Sequence, residues 1–381
     1  MSVLHSLWTV GSYLVPFVFV LGLVVFFHEL GHFLVGRWCG IKVDAFSMGF
    51  GPEIAHFTDR HGTRWRLAAL PLGGYVRFHG DASGASEPDF EAAAAMPESE
   101  RAVTFFAQKV WKRAAVVAAG PFANFLLALV IFTGLFYFEG RQILAPRIDS
   151  VVEGGRAAAA GFHKGDLVVS IDGAPIEGFQ DMQRLVSASP ETPLHFVVER
   201  DGRRVEILAA PERKDIKTPF GVNRAGVLGV AAGGAPQNWR VQSFSLPMAA
   251  VEAGRETWYV VASTGSYLGG LVVGRESAEQ LSGPIRIAEV SGEVAKAGIW
   301  PLFNLAAILS ISVGLLNLLP VPLLDGGHLL YYGFEAARGK ALTQRAQEFG
   351  FKIGLAFVAA LMLVATYNDI LRLSRQWLNL G

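Results

Sequence analysis

The chain has a single cysteine, Cys39, in 381 residues. No intramolecular disulfide can form, and one thiol cannot build a cysteine-based zinc cluster. A small buried apolar residue at a helix end is the simpler reading of Cys39. Charge is scarce as well: only 17% of the residues are Asp, Glu, Lys or Arg, and the 33 acidic and 33 basic side chains cancel. With no net positive field, nucleic acid is not an expected partner. The N-terminus lacks a basic leader and its apolar stretch is too long for a signal peptide, so a cleavable one is not expected.

What is abundant is hydrocarbon. The hydrophobic share is 51%, which points to a membrane protein. Four segments read as spans, about Ser12–Val35, Ala114–Phe138, Phe303–Leu324 and Ile353–Tyr367 with slight extensions, each able to cross a hydrocarbon core of roughly 30 Å. A fifth stretch, 257–274, is long enough to span but richer in Ser, Thr and Gly, and is read as lying on the membrane surface. Between the first two spans, Ile41–Phe50 and Trp65–Phe78 look like strands, a short membrane-associated β segment broken at Gly51-Pro52 and Gly73-Gly74. Residues 81–104 are acidic and Ala-rich and read as a mobile loop leading into a helix.

The expected organisation has four parts. Residues 1–140 form an N-terminal membrane part, 141–212 an inserted α+β module, 213–300 a connector, and 301–381 a C-terminal membrane part. Asp172-Gly173 and Asp201-Gly202 mark tight turns within the module. Its run Gly165-Asp166-Leu167-Val168-Val169-Ser170-Ile171-Asp172-Gly173 resembles the core of a PDZ domain of the protease-associated type. Such a fold would capture peptide or protein termini by strand addition, the alternative being a steric plug or spacer. Lys and Arg cluster around 36–113 and 338–352, which places those loops in the cytoplasm and the module outside. Arg372 and Arg375 after the last span mildly disagree.

Chemistry concentrates at His28-Glu29-Leu30-Gly31-His32, inside the first apolar run. Ionisable groups at that depth are costly and mark function more often than packing. Two histidines four residues apart share a helix face and can ligate one zinc ion. Glu29 beside them is placed to take a proton from a water activated by the metal. The bland alternative is two polar side chains facing a neighbouring helix. A catalytic zinc needs a third protein ligand, and Asp325 is the candidate. The first and third spans run in the same direction and bring His28, His32 and Asp325 to the same depth. His328 competes more weakly for that role, and an ordinary turn before Gly326-Gly327 is the alternative for Asp325. Pro320 and Pro322 break helical pairing there, which is tolerable only where backbone lines a wet cavity or meets another chain.

At this point the chain resembles the site-2 protease family, specifically the bacterial regulator-of-sigma-E protease group. The similarity covers HELGH at 28–32, FSMGFGP at 46–52, PLGGYVRFHGD at 71–81, FFAQKVWKRAAVVAAGPFANF at 105–125, LSGPIRIAE at 281–289 and NLLPVPLLDGGH at 317–328. The resemblance implies zinc held by His28, His32 and Asp325, with Glu29 as catalytic base. It implies substrate-backbone contacts from Asn317, Pro320, Gly73 and Gly74. It marks Asn124, in the second-span motif Gly120–Asn124, as a further substrate-binding residue, for which close packing of small residues is an equal reading. Some relatives carry two PDZ modules where this chain has one.

The expectation is therefore a polytopic α-helical membrane protein with about four transmembrane helices and an inserted α+β PDZ-like domain. It would sit in a bacterial inner membrane with the module periplasmic and the active site near the cytoplasmic side. Its activity would be zinc metalloproteolysis of single-span membrane substrates, such as anti-sigma factors after a first external cut, or remnant signal peptides. Membrane lipid and peptide termini are the further partners. The rival readings are a non-catalytic PDZ-containing receptor or chaperone, a membrane-anchored protease of soluble peptides, and a metal transporter. Intact His28, Glu29, His32 and Asp325 weigh against the first, the place of HELGH within an apolar span against the second, and the single visible site against the third, which would need ligands along a pathway.

Overall fold

A computed structural model describes residues 3–81, 96–218, 221–233, 238–274 and 283–378. Most of the expected 81–104 loop lies outside them; the described part contains the short helix Glu98–Arg101. The chain divides into two compact units, one of residues 1–134, 250–272 and 278–381, the other of residues 135–249 and 273–277.

The first unit begins with helix α1 (Val3–Trp38), which carries HELGH in its last third. Arg37 lies in the last turn, and Lys112 donates to the Cys39 carbonyl at 2.8 Å, so cations meet the negative end of the helix dipole. Strands β1 (Val43–Thr58) and β2 (Arg64–Phe78) follow. β1 does not stop at Gly51-Pro52 as expected. Gly49 (φ 88°) and Gly51 (φ 84°) let it bend and continue, since glycine accepts that backbone without the penalty of a Cβ. β2 bends with it. Phe46 therefore has Val76 as partner on one side and Trp65 on the other, while Phe57 pairs again with Trp65. The root of this sheet is an aromatic core: Phe46 lies 5.7 Å from Phe26, 5.7 Å from Phe33 and 4.3 Å from Trp65. Burying a ring of that size is worth roughly 1.5–3 kcal/mol. Its tip is the opposite, with Phe50, Ile54, Phe57, Leu67 and Leu70 exposed.

After the short helix α2 (Glu98–Arg101) comes α3 (Val110–Phe138). Gly31 and Gly120 set how closely α1 and α3 approach: a Cβ on Gly31 would lie 2.3 Å from the Ala119 carbonyl oxygen, and one on Gly120 would lie 2.2 Å from His32 Nε2.

The second unit holds β3 (Arg141–Leu144), β4 (Ile148–Val151), α4 (Arg156–Ala160), β5 (Leu167–Ile171), β6 (Ala174–Pro175), α5 (Phe179–Ala188), β7 (Leu194–Arg200) and β8 (Arg203–Ala209). It continues with β9 (Glu212–Thr218), β10 (Gly221–Val227), β11 (Val230–Ala232) and β12 (Trp239–Gln242). The main antiparallel sheet has the order β6-β5-β7-β8. Both Asp-Gly turns form as expected, with φ of 48° and 78° at Asp172-Gly173 and 52° and 75° at Asp201-Gly202. Two positive φ values match the twist of the flanking strands. Phe162, Phe196, Val168, Val198 and Ile207 fill the core, and α5 docks Met182 and Val186 onto it. The late strands β11 and β12 return to pair with β4 and β3, closing the unit well beyond the first hairpins.

The remaining helices are α6 (Leu246–Val272), α7 (Pro284–Lys296), α8 (Ile299–Asn317), α9 (Asp325–Arg338) and α10 (Gln344–Leu378). Asp369 of α10 caps α7, accepting from the backbone N–H of Gly283 at 3.3 Å and of Arg286 at 3.0 Å. Among the described residues four helices are long and apolar enough to cross a membrane: Gly11–Trp38, Val110–Phe138, Ile299–Asn317 and Arg345–Ser374. The third ends at Asn317, earlier than the expected Leu324, because Pro320 and Pro322 lack the N–H groups a continuing helix needs. Residues 318–324 turn instead, through bonds such as Leu319 N–H to the Leu316 carbonyl at 3.1 Å.

Candidate active site

α1 contributes three chemical groups, His28, Glu29 and His32. His28 and His32 sit one turn apart with rings 4.8 Å apart and nearly perpendicular, so their Nε2 atoms converge at 3.3 Å. Asp325 arrives from the other end of the sequence as the first residue of α9. Its Oδ2 lies 3.3 Å from His28 Nε2 and 3.6 Å from His32 Nε2. These are the one group of three potential metal ligands found among the described residues.

The backbone delivering Asp325 is under constraint. Leu323 has a φ of 98°, a conformation costing of order 1–3 kcal/mol for a residue with a Cβ, and such residues cluster at functional sites. Gly326 and Gly327 are needed behind it: a Cβ on Gly326 would stand 2.2 Å from the Leu319 carbonyl oxygen, and one on Gly327 would stand 2.4 Å from that of Val321. The LLPVPLLDGG run is a compact loop folded against its own helix start.

Two observations test whether the trio fits a metal. The Asp325 Oδ2 atom is buried and has no hydrogen-bond donor. A tetrahedral zinc with bonds of about 2.0–2.1 Å also keeps its ligand atoms about 3.3 Å apart, close to the 3.3, 3.3 and 3.6 Å found. His32 is already in the right tautomer. Its Nδ1 lies 2.9 Å from the Val116 carbonyl oxygen, and a carbonyl only accepts. The ring proton is therefore on Nδ1, leaving the Nε2 lone pair free. Two imidazoles and one carboxylate fit zinc, with room for a fourth ligand.

A cavity of about 210 Å³ opens beside the trio, lined by His28, Glu29, His32 and Asp325 together with Gly74, Tyr75 and Val76 of β2, Asn317 of α8, and Leu323, His328 and Tyr332. Val76 of β2 and Glu29 of α1 share this lining. Of the sequence candidates, Gly74 and Asn317 line the cavity. A Cβ on Gly74 would meet the Ser47 carbonyl oxygen at 2.8 Å and Glu29 Cγ at 3.0 Å, so the strand lies directly on α1. Gly73 packs beside Phe50, outside the lining, and Pro320 is exposed on the loop. Asn124 is fully buried on the far side of His28, its amide nitrogen 3.3 Å from His28 Nδ1. The Val116 carbonyl, Tyr75 and Tyr332 were not singled out by sequence. A backbone acceptor carries no residue signature, and the tyrosines announce themselves only by placement.

Comparison with known proteins agrees with this geometry. The profile of peptidase family M50 matches residues 16–361. A protein of Agrobacterium fabrum named as a zinc metalloprotease is 49% identical over 360 residues, covering 94% of this chain and 96% of its own length. A similarly named protein of Rhizobium meliloti is 48% identical over 362 residues, with the same coverage. Metalloprotease MmpA of Caulobacter vibrioides is 39% identical over 382 residues, covering 94% of this chain and 95% of its own. A family match across nearly the whole length, joined to apolar helices that can span a bilayer, makes this a membrane metalloprotease; the chain belongs to peptidase family M50.

Proposed function

We propose that the chain is an intramembrane zinc metalloprotease that cuts single-span membrane proteins within or near their spans. The observation that carries this reading is the convergence of His28, His32 and Asp325 beside Glu29, with the HELGH residues on a helix whose composition suits the bilayer. His28, His32 and Asp325 would hold the zinc. When bound, zinc supplies Lewis acidity toward a carbonyl and makes a water acidic near neutral pH. Glu29 accepts the proton and returns it to the leaving amine. Phe78, Val116 and Val117, with Val76, Leu323 and Leu324, form the apolar part of the wall and limit bulk water around these charges.

A helical substrate hides its peptide bonds and must unwind first. Residues 74–76 and Asn317 line the cavity and can pair with an unwound strand. The basic residues around 36–113 support a site near the cytoplasmic side of a bacterial inner membrane, with the inserted unit outside. That unit has the strands and helices of an α+β module, and we read it as PDZ-like, contacting peptide termini or excluding substrates with bulky external domains. Anti-sigma factors already trimmed outside, and remnant signal peptides, suit such a filter.

Purified full-length protein should cleave a single-span test substrate, lose that activity to a zinc chelator and regain it with added zinc. The Glu29→Gln variant should bind zinc and cleave nothing. Chelator-resistant cleavage, or a fully active Glu29→Gln protein, would refute the mechanism, whereas substrate binding without cleavage by the wild type would favour a receptor. For the orientation, a cysteine at Asp201 in a Cys39→Ala background should react with an impermeant reagent in intact cells, and one at Arg60 should not.

A further inference from the structure

Every metal-ligating imidazole has a second nitrogen, and what that nitrogen meets fixes the ring's tautomer and aim. For His32 the partner is the Val116 carbonyl. For His28 it is Asn124, eight residues further along α3. Val116, Gly120 and Asn124 are spaced by four and so lie along one side of α3. This side lies against His28 and His32: Val116 orients His32, Gly120 makes room for its ring, and Asn124 touches His28. Asn124 is itself held from behind. Ser310 Oγ donates to its backbone carbonyl at 2.9 Å, and a Cβ on Gly314 would come within 3.3 Å of Asn124 Cβ.

The amide has two ends of similar shape and opposite chemistry. With the nitrogen toward His28, at 3.3 Å, the amide donates to Nδ1. The imidazole proton then sits on Nε2, the atom that faces Asp325 and His32. Oδ1 is buried and has no donor. With the amide turned over, Oδ1 accepts an Nδ1–H and Nε2 presents its lone pair to a metal. One end of the amide is engaged either way, so the tautomer demanded by the ligand decides between them. We infer that Asn124 is a positioning residue: its Oδ1 accepts the His28 Nδ1–H and thereby holds Nε2 as a zinc ligand. This rests on the metal centre proposed above. It also gives Asn124 a task distinct from holding substrate, since the side chain is buried away from the cavity lining.

The test compares Asn124→Asp, which keeps an acceptor and cannot donate, with Asn124→Leu, similar in size and without either. Zinc affinity is read on purified full-length protein by competition with a chromophoric chelator, and ligand geometry by the visible absorption of the Co²⁺-substituted forms. Asn124→Asp should bind zinc as tightly as wild type or tighter, with wild-type-like cobalt bands. Asn124→Leu should bind roughly 10- to 100-fold more weakly, the loss typical when a partner of a ligating histidine is removed. Equal zinc binding by wild type and Asn124→Leu would overturn the proposal, as would equal losses in the two variants. If Asn124→Leu does not fold, ¹⁵N-histidine spectra of zinc-loaded wild type decide instead: a proton on His28 Nδ1 is expected, and a bare Nδ1 would overturn it. His28→Ala is the reference for the underlying reading. Undiminished zinc in that variant would remove the metal centre itself, a failure distinct from an unaffected Asn124→Leu.

Discussion

Two aspartates with buried carboxylate oxygens, one in each compact unit, are treated in opposite ways. Asp166 of the inserted unit is saturated. Arg200 Nε donates to Oδ1 at 2.7 Å, Arg200 Nη2 to Oδ2 at 2.8 Å, and the His163 backbone N–H to Oδ2 at 2.8 Å. Asp325 of the membrane unit faces two imidazoles, keeps Oδ2 without a donor, and follows a residue in the left-handed region. A buried carboxylate closed by a bidentate guanidinium serves the fold. One that the fold leaves open, on strained backbone, is kept for a ligand.

The sharpest way to break that contrast is to close the open carboxylate. Asp325→Ala leaves two imidazoles and no anionic ligand, so stoichiometric zinc should be lost and proteolysis should fall below detection. Metal analysis of the purified variant checks this, and full zinc retention would remove Asp325 from the ligand set. Next in size is Gly120→Ala. The added methyl would begin 2.2 Å from His32 Nε2, so α3 or the ring must shift. Misplacing a catalytic group by about 1 Å can cost roughly 100-fold in rate. The expected signature is a large fall in kcat together with weaker zinc binding. Wild-type kinetics would mean that the α1–α3 crossing is looser than its glycines indicate.

The same contrast explains what could be read from sequence. His28, Glu29 and His32 were legible because a helix turns a local spacing into a shared face. Asp325 was legible from span direction, since depth in a bilayer is set by counting crossings. Asp172-Gly173 and Asp201-Gly202 were legible because few dipeptides accept two positive φ values. The early end of α8 was hidden because residues 318–324 are as apolar as a span, and only their backbone bonding betrays the loop. The doubling back of β1 and β2 and the late returns of β11 and β12 are pairings between distant residues with no local signal. Gly120 reads as a packing glycine; that the group packed against it is the His32 ring depends on the rotation of α3.

A third change compares the units by removing one. Arg141 and Gln242 are paired across β3 and β12, so their backbones are about 5 Å apart. Residues 142–241 can therefore be replaced by a short Gly/Ser linker. Every candidate catalytic and ligand residue lies in the other unit. Cleavage of a substrate already trimmed outside should persist near the wild-type rate, and an untrimmed substrate should gain some cleavage. A deletion that is zinc-loaded yet inert toward both would make the unit a delivery device rather than a filter.

The smallest effect on catalysis is expected from opening the closed carboxylate. Burial alone would raise the pKa of Asp166, but the Arg200 guanidinium and the His163 N–H outweigh it and hold the carboxyl below its ordinary range. A depressed folded pKa gives stability that is present above the unfolded value, about 3.9, and that is lost as pH falls through the folded value. The wild-type inserted unit should therefore lose stability below about pH 4, and part of that acid slope belongs to this pair. Arg200→Gln leaves the carboxylate buried with one of its three donors remaining. It should destabilise the inserted unit by about 3 kcal/mol near neutral pH and flatten the acid slope, because the unpaired group titrates nearer its unfolded value. Zinc content and cleavage of trimmed substrate should not change. Melting curves between pH 3 and 7, followed by a probe within 141–242, provide the measurement. An unaltered acid slope would show that other carboxylates dominate acid unfolding. A loss of zinc in Arg200→Gln would mean that the two aspartates are coupled, and the division of labour drawn between them would fail.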